Sequence, residues 1–254
     1  MAEERNTNRM LVILPTYNES SDIAKMVNAI KSSSLNIEVN ILIIDDNSPD
    51  GTGRIADELS KNFKDVFVIH RVRKLGLGSA YVEGFKFGLK EKFDYICEMD
   101  ADFSHDPKYL IDFYKNLETC DLIIGSRYMN GISIINWPIS RLLLSFFANK
   151  FVRFITGMPF TDSIGGYKCF RSGVIEDIGP DNIVSEGYIF QMEMLYRTFR
   201  KGYKIKEIPI IFYNRKFGKS KMSKKEILKS LFSVLYLRFI LGFKMFHSRE
   251  PKET

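Results

Sequence analysis

Short β-branched runs alternating with helical patterns constrain this chain more than any other feature. Met10–Leu14 predicts a strand, Ser21–Ser33 a helix with Ser20 or Ser21 as its N-cap, and Val39–Ile44 an unbroken apolar strand. The rhythm continues through helix Thr52–Phe63, strand Val66–Arg71, helix Gly78–Glu91, strand Tyr95–Met99, helix Lys108–Leu117 and strand Leu122–Gly125. Strands that are apolar on both faces need cover on both faces, and helical connections let them run parallel. The fold class is therefore α/β, with a mostly parallel central sheet flanked by helices.

After Ser126 the rhythm changes. A loop over Tyr128–Asn136 leads to an apolar helix, Ile139–Ile155, and then to a loop holding Asp162 and Gly165-Gly166. A helix around Tyr188–Arg200, a strand Lys204–Tyr213 and a basic loop Asn214–Ser223 precede a final amphipathic helix, Ile227–Phe246. There is no internal repeat, low-complexity run or linker, so the second half is expected to pack on the first.

The 254 residues suffice for a sizeable core, and 45% hydrophobic with 13% aromatic content excludes disorder. The net charge of +6 suits an anionic substrate or membrane surface. No basic module interleaved with aromatics points to nucleic acid. Met1–Arg9 is polar and lacks the apolar run of a secretory signal, and no stretch is long and apolar enough to span a bilayer. Leu142–Thr156 is broken by Lys150 and Arg153, and Ile227–Phe246 by Lys229, Arg238 and Lys244. Cys97, Cys120 and Cys169 show no paired spacing, so buried free thiols in a reducing compartment are expected. His70, His105 and His247 form no zinc spacing.

Ligands of open parallel sheets bind beyond the carboxyl ends of the strands. Those ends read Pro15–Glu19, Asp45–Asp50, Asp100-Ala101-Asp102 and Gly125–Tyr128, so three carry acids and one carries Arg127. Two carboxylates at one strand tip suit a hard divalent cation shared with substrate phosphates, and such a cation neutralises a departing diphosphate. Arg127, Arg215 and Lys221 would form the positive side, the last two from a glycine-hinged loop able to close over a diphosphate. Gly51-Thr52-Gly53-Arg54-Ile55-Ala56 imitates a dinucleotide fingerprint, but Asp45–Asp50 separates it from its strand and would repel a pyrophosphate. These glycines are expected to serve turn geometry and close packing.

With these residues in view, the chain resembles the dolichyl-phosphate or polyprenyl-phosphate mannose synthases of glycosyltransferase family 2. The resemblance runs from Pro15 to about Lys221 through PTYNE (Pro15–Glu19), DDNSPDGT (Asp45–Thr52), GLGSAY (Gly76–Tyr81), DADFSHDP (Asp100–Pro107) and GSRY (Gly125–Tyr128). It continues through SRLLLSFFAN (Ser140–Asn149), GYIFQMEM (Gly187–Met194) and RKFGKSK (Arg215–Lys221). The resemblance implies a glycosyltransferase-A fold, with residues 10–223 as the catalytic domain. Residues 1–9 would be a disordered polar segment and 224–254 an amphipathic helix with a polar tail. It implies that Pro15, Tyr17, Glu19, Ile44 and Asp46 hold the base and ribose of a nucleotide-sugar. Asp100, Ala101 and Asp102 would hold the sugar diphosphate, with Mg²⁺ or Mn²⁺ on the two acids. Arg127 would meet the sugar or the acceptor phosphate, and Arg215 and Lys221 the donor phosphates. Gln191 and Glu193 lie where the family lines its active site. Two departures stand out: Ser104 occupies a position where some relatives carry a metal-ligating Gln, and Ile164 one where a hydroxyl is common.

The implied reaction moves mannose from GDP-mannose to dolichyl or polyprenyl phosphate with inversion, the acids and Arg127 being catalytic through Asp102 and Arg127. An ionised phosphate acceptor needs no strong general base, which fits the absence of a His–acid dyad. A lipid acceptor also gives the amphipathic helices a membrane surface to lie on, placing the protein peripherally on the cytoplasmic face, alone or with a membrane-anchoring subunit. UDP-glucose as donor, or a non-catalytic nucleotide-sugar-binding subunit, are the other readings the residues admit.

Overall fold

The protein is described by a computed structural model covering residues 8–33, 37–214 and 232–241. The expected alternation is present: β1 (Arg9–Thr16), α1 (Ile23–Lys31), β2 (Glu38–Asp45), α2 (Thr52–Asn62), β3 (Val66–His70) and α3 (Leu77–Lys90). It continues with β4 (Tyr95–Glu98), α4 (Tyr109–Leu117) and β5 (Leu122–Ser126). The second half contributes β6 (Ile134–Ile135), α5 (Ile139–Thr156), β7 (Lys168–Arg171), α6 (Ser172–Ile178), α7 (Gly187–Arg200), β8 (Ile205–Pro209) and β9 (Phe212–Tyr213). Residues 232–236 are helical and run into a π turn at Leu237–Leu241.

Seven strands form one sheet in the order β3-β2-β1-β4-β7-β5-β8, and β6 pairs with β9 in a separate ribbon. All neighbours in the large sheet are parallel except β7, which runs antiparallel to both β4 and β5. Met10–Leu14 and Ile41–Ile44 are fully buried because each face of the sheet has its own core. One core gathers Ile23, Met26, Ala56, Leu110 and Phe113 from α1, α2 and α4. The other gathers Ala80, Phe85, Val152, Val174 and Phe190 from α3, α5, α6 and α7.

Five expectations are corrected. β7 and α6 fall where the sequence suggested only loop, and β7 inserts between β4 and β5. The strand expected over Lys204–Tyr213 is two strands in two sheets, since β8 ends at Pro209 and β9 pairs with β6. Helix α1 begins after Asp22, without a side-chain cap, and Ser20 instead donates its backbone N–H to Asp50. The cysteines are not three free thiols: Cys97 and Cys169, directly opposed in the β4–β7 pair, form a disulfide, while Cys120 is free and buried. The first strand also begins at Arg9, inside the segment expected to be disordered, and residues 1–7 lie outside the described residues.

Candidate active site

Parallel register brings the ends of β1, β2 and β4 to one edge, with Thr16 opposite Asp45 and Ile13 opposite Glu98. The loops after β1 and β2 are laced together there. Asn18 N–H donates to Ser48 Oγ (3.0 Å), Glu19 N–H to Thr52 Oγ1 (2.9 Å) and Ser20 N–H to Asp50 (3.0 Å). Against the upward push of slight burial, hydrogen bonds from Thr52 and Ser20 hold Asp50 at about 2. Gly51, at φ 90°, opens α2, and a Cβ on Gly53 would sit 3.0 Å from Asp45, which gives these glycines the turn and packing roles expected.

The residues read as a base and ribose site divide. Pro15 and Glu19 are half-buried at the cleft, and Tyr17 is exposed with the Lys74 ammonium 3.5 Å over its ring. The Ile44 side chain is fully buried in the core, and its carbonyl accepts from Thr16 Oγ1. Asp46 is buried and ties down the following loop: Leu75 and Gly76 donate their N–H groups to it, and Arg71 approaches at 2.8 Å.

At the tip of β4, Asp100 and Asp102 are half-buried and Ala101 between them is buried; Asp100 lines the cavity described below, and Asp102 a neighbouring one bordered by Asn136, Tyr213 and Asn214. Ser104 N–H donates to Asp102 (3.0 Å), and Asp100 N–H donates to His105 Nδ1 (3.0 Å). His105 is enclosed, and burial drives its pKa down to about 3, so the ring is neutral at physiological pH. Ser104 is also buried, in keeping with its weak claim as a third ligand. Among the described residues no group of three or more His, Cys, Asp or Glu side chains could hold a metal. Two carboxylates on neighbouring backbone could supply oxygen ligands of the kind Mg²⁺ or Mn²⁺ takes together with substrate phosphates, without a dedicated protein cage.

The basic wall stands opposite. Arg127 makes a bidentate pair with the fully buried Asp162 (Nε 2.7 Å, Nη2 2.8 Å), which also accepts its backbone N–H at 3.0 Å. Burial pushes the Asp162 carboxyl up, but the Arg127 charge and hydrogen bonds hold it below the ordinary value. Glu207 on β8 accepts from Thr161 and Asp162 N–H and so fixes this loop. The Arg127 guanidinium lies 5.4–5.6 Å from the rings of Tyr128, Trp137 and Phe212. Arg141 covers the other ring contact at 3.8 Å from Trp137 and donates to Asn214 (3.1 Å). Sequence reasoning did not single out Arg141, which sits inside an apolar helix; its signal was a cation one turn into that helix, close to Trp137.

Between the walls lies a cavity of about 390 Å³. Asp100, His105, Arg127 and Arg141 line its polar end, and Phe147, Phe151, Ile164, Met192 and Val234 its apolar remainder. Ile164 thus contributes to an apolar wall. Gln191 lines the cavity and accepts from Lys168 (2.7 Å), whereas Glu193 is fully buried against Arg197 (2.7 Å) and supports α7. Beneath the site, Glu98 and Lys168 oppose each other across β4 and β7, both fully buried. Burial pushes Glu98 up to about 8, against the pull of Lys168, and brings Lys168 down to about 8. Arg215 and Lys221 lie outside the described residues, as does most of the helix expected over Ile227–Phe246.

Residues 11–179 match the profile of glycosyl transferase family 2. The chain is 42% identical over 235 residues to a polyprenol monophosphomannose synthase of Mycolicibacterium smegmatis, covering 92% of this chain and 88% of that one. It is 41% identical over 215 residues to an undecaprenyl-phosphate mannosyltransferase of Micrococcus luteus, covering 85% and 88%. In fold it is similar to glucosyl-3-phosphoglycerate synthase of Mycobacterium tuberculosis, crystallised with Mn²⁺, UDP-glucose and phosphoglyceric acid. The TM-score is 0.63 at 16% identity, over 92% of this chain and 80% of that one.

Proposed function

Because the chain belongs to glycosyl transferase family 2, we propose that it transfers mannose from GDP-mannose to dolichyl or polyprenyl phosphate with inversion. The observation that carries this reading is the cavity, whose polar end holds Asp100, Arg127 and Arg141 and whose remaining walls are apolar. A phosphate with a hydrocarbon tail matches that division, since a sugar-hydroxyl acceptor would leave most of the wall without a partner. The names of the two curated relatives support the same acceptor class.

In the proposed reaction an oxygen of the acceptor phosphate attacks the anomeric carbon as the bond to the β-phosphate oxygen of the donor breaks. The acceptor gains the glycosyl group, the nucleoside diphosphate leaves with the bonding electrons, and an α-mannosyl donor gives a β-mannosyl phosphate. Arg127 and Arg141 would orient the attacking phosphate and offset its charge. Mg²⁺ or Mn²⁺ bound by Asp100 and Asp102 would neutralise charge growing on the leaving diphosphate. No general base is required of the protein, because the nucleophile is already anionic.

The acceptor belongs in a bilayer, and the fold offers a surface for one. Ile139, Leu143, Phe147 and Phe154 are 75%, 49%, 61% and 84% exposed along α5. Phe232 and Phe239, from the segment packed against α5, are 66% and 67% exposed. With Lys150 and Arg153 interspersed, this face suits a helix lying in the interface. Among the described residues no helix is long and apolar enough to cross a membrane. We place the protein peripherally on the cytoplasmic face, with or without an anchoring subunit, residues 10–223 forming the catalytic domain. The test is to incubate the protein with Mn²⁺, a polyprenyl phosphate and labelled GDP-mannose or UDP-glucose. Labelled lipid from GDP-mannose is expected; label only from UDP-glucose would overturn the donor, and none from either would overturn the function.

A further inference from the structure

We propose that His105 is the positioning residue of the acidic wall: a neutral imidazole, locked as the Nε2–H tautomer, that sets the main chain and carboxylate of Asp100. The proposal rests on the reading of Asp100 as a metal ligand and deepens it.

A backbone N–H can only donate. The 3.0 Å bond from Asp100 N–H to His105 Nδ1 therefore requires a lone pair on Nδ1 and leaves the ring proton on Nε2. Nε2 lies 3.9 Å from Asp100 Oδ2, beyond hydrogen-bond distance. The ring thus holds Asp100 through its amide, and the direction of the carboxylate follows from the main chain that this bond fixes. The chain reaches this arrangement by turning tightly, with Phe103 at φ 60°, so that His105 returns beneath Asp100.

The ring is not free to turn. It stacks on Tyr167 with centroids 4.7 Å apart and planes 16° from parallel, and Phe212 meets it edge-on at 5.6 Å. Tyr167 is itself anchored by donating its hydroxyl to Asp106 O (3.2 Å). A half-turn of the imidazole would put C–H against the Asp100 amide and leave that part-buried N–H without its acceptor. The same geometry excludes His105 as a metal ligand, because one ring nitrogen is occupied as an acceptor and the other carries a proton. Its role is that of the outer partner which fixes a ligating group, a contact whose loss typically weakens metal binding about 10–100-fold.

Three substitutions separate the contributions. His105→Asn places an amide oxygen near the position of Nδ1 and keeps an acceptor for the Asp100 N–H. His105→Gln keeps an N–H near the position of Nε2 but loses that acceptor. His105→Phe keeps the ring stack and loses both. Mn²⁺ binding in the presence of GDP, read by electron paramagnetic resonance, is expected to weaken about tenfold in His105→Phe and His105→Gln. His105→Asn should recover binding to within about threefold of wild type. Equal Mn²⁺ affinity in all three variants would overturn the proposal, as would His105→Asn binding no better than His105→Phe. Asp102→Asn serves as the reference: if it binds Mn²⁺ as well as wild type, the metal reading itself fails, and the His105 proposal with it. Nitrogen-15 NMR of wild-type protein at neutral pH gives a second measurement independent of any variant's folding. It should show an unprotonated Nδ1 and a protonated Nε2, and the opposite tautomer or an imidazolium would overturn the assignment.

Discussion

The two walls of the cleft hold charge in opposite ways. Asp100 and Asp102 are half-buried and supported by neutral donors and acceptors, the Ser104 N–H and the His105 ring. Arg127 is nearly enclosed and already balanced by Asp162, which is fully buried. The acids thus keep their negative charge available to an incoming cation. Arg127 offers oriented N–H groups whose charge is largely offset, and its direction is fixed by the Asp162 and Glu207 contacts behind it. Removing charge from the acidic wall should therefore harm function more than the fold, and removing it from behind the basic wall should harm both.

Asp102→Asn is the largest test of that contrast. Loss of a metal-ligating carboxylate is expected to slow transfer about a thousandfold, roughly 4 kcal/mol of barrier. The urea midpoint should stay near wild type, because asparagine keeps the size of this half-buried side chain and an oxygen to accept from the Ser104 N–H. Full metal-dependent turnover in Asp102→Asn would show that the acidic wall does not hold the metal. Asp162→Asn should act differently. It strands the Arg127 guanidinium in a buried site, and breaking one side of a buried pair costs about 3 kcal/mol or more. Urea unfolding should show this as a lowered midpoint together with reduced transfer. An unchanged midpoint would mean that Arg127 is not balanced chiefly by Asp162, and the contrast between the walls would fail.

The acidic wall was largely legible in the sequence, and of the basic wall only Arg127 was. A parallel sheet sends every strand tip to one edge, so an acid pair directly after the apolar Tyr95–Met99 could be placed without coordinates. The positions of Pro15, Tyr17 and Glu19 followed from the same rule. β7 escaped because it has four residues and begins with Lys168, a charge that hydropathy assigns to the surface. The Lys168 ammonium is met by Gly165 O and Gln191 Oε1, and Glu98 lies opposite on β4, so two of these three groups come from more than 20 positions away along the chain. The disulfide was hidden for the same reason: Cys169 faces Cys97 only once β7 has been inserted antiparallel beside β4. Arg141 read as a break in an apolar helix, and the fold alone brings it onto Trp137. His105 read as an isolated histidine. Its signal was its place five residues after Asp100, at the end of the loop that both share.

Arg141 gives a smaller test, confined to one substrate. It is half-buried near the start of α5, so Arg141→Ala should leave the fold largely intact. Loss of one charge-assisted contact to the acceptor phosphate is expected to raise the KM for polyprenyl phosphate about tenfold, roughly 1.4 kcal/mol. The KM for the nucleotide-sugar should change little, since Arg141 is assigned to the acceptor phosphate in the proposed function. Initial-rate kinetics with each substrate varied in turn checks this. An equal rise in both values would move Arg141 away from the acceptor and leave Arg127 as the sole cation assigned there.

The smallest effect concerns the neutrality of the support beneath the acids. His105 titrates near 6.5 when unfolded and near 3 when folded. Below pH 6.5 the unfolded chain takes up a proton that the fold refuses, so this group's contribution is complete above 6.5 and lost as pH falls towards 3. The limiting slope for one proton is about 1.4 kcal/mol per pH unit. Glu98 opposes it: with a folded value near 8 against 4.5 unfolded, the fold holds an extra proton between those limits and gains stability on acidification. From pH 6.5 to 4.5 the two slopes cancel, and the wild-type urea midpoint should be nearly flat. His105→Asn removes one of them. Its midpoint should rise as pH falls from 6.5 to 5, by an amount that grows relative to wild type at up to the single-proton slope. Parallel curves for the two proteins across that range would mean that His105 titrates alike in the folded and unfolded states, and the acidic wall would not rest on a neutral ring.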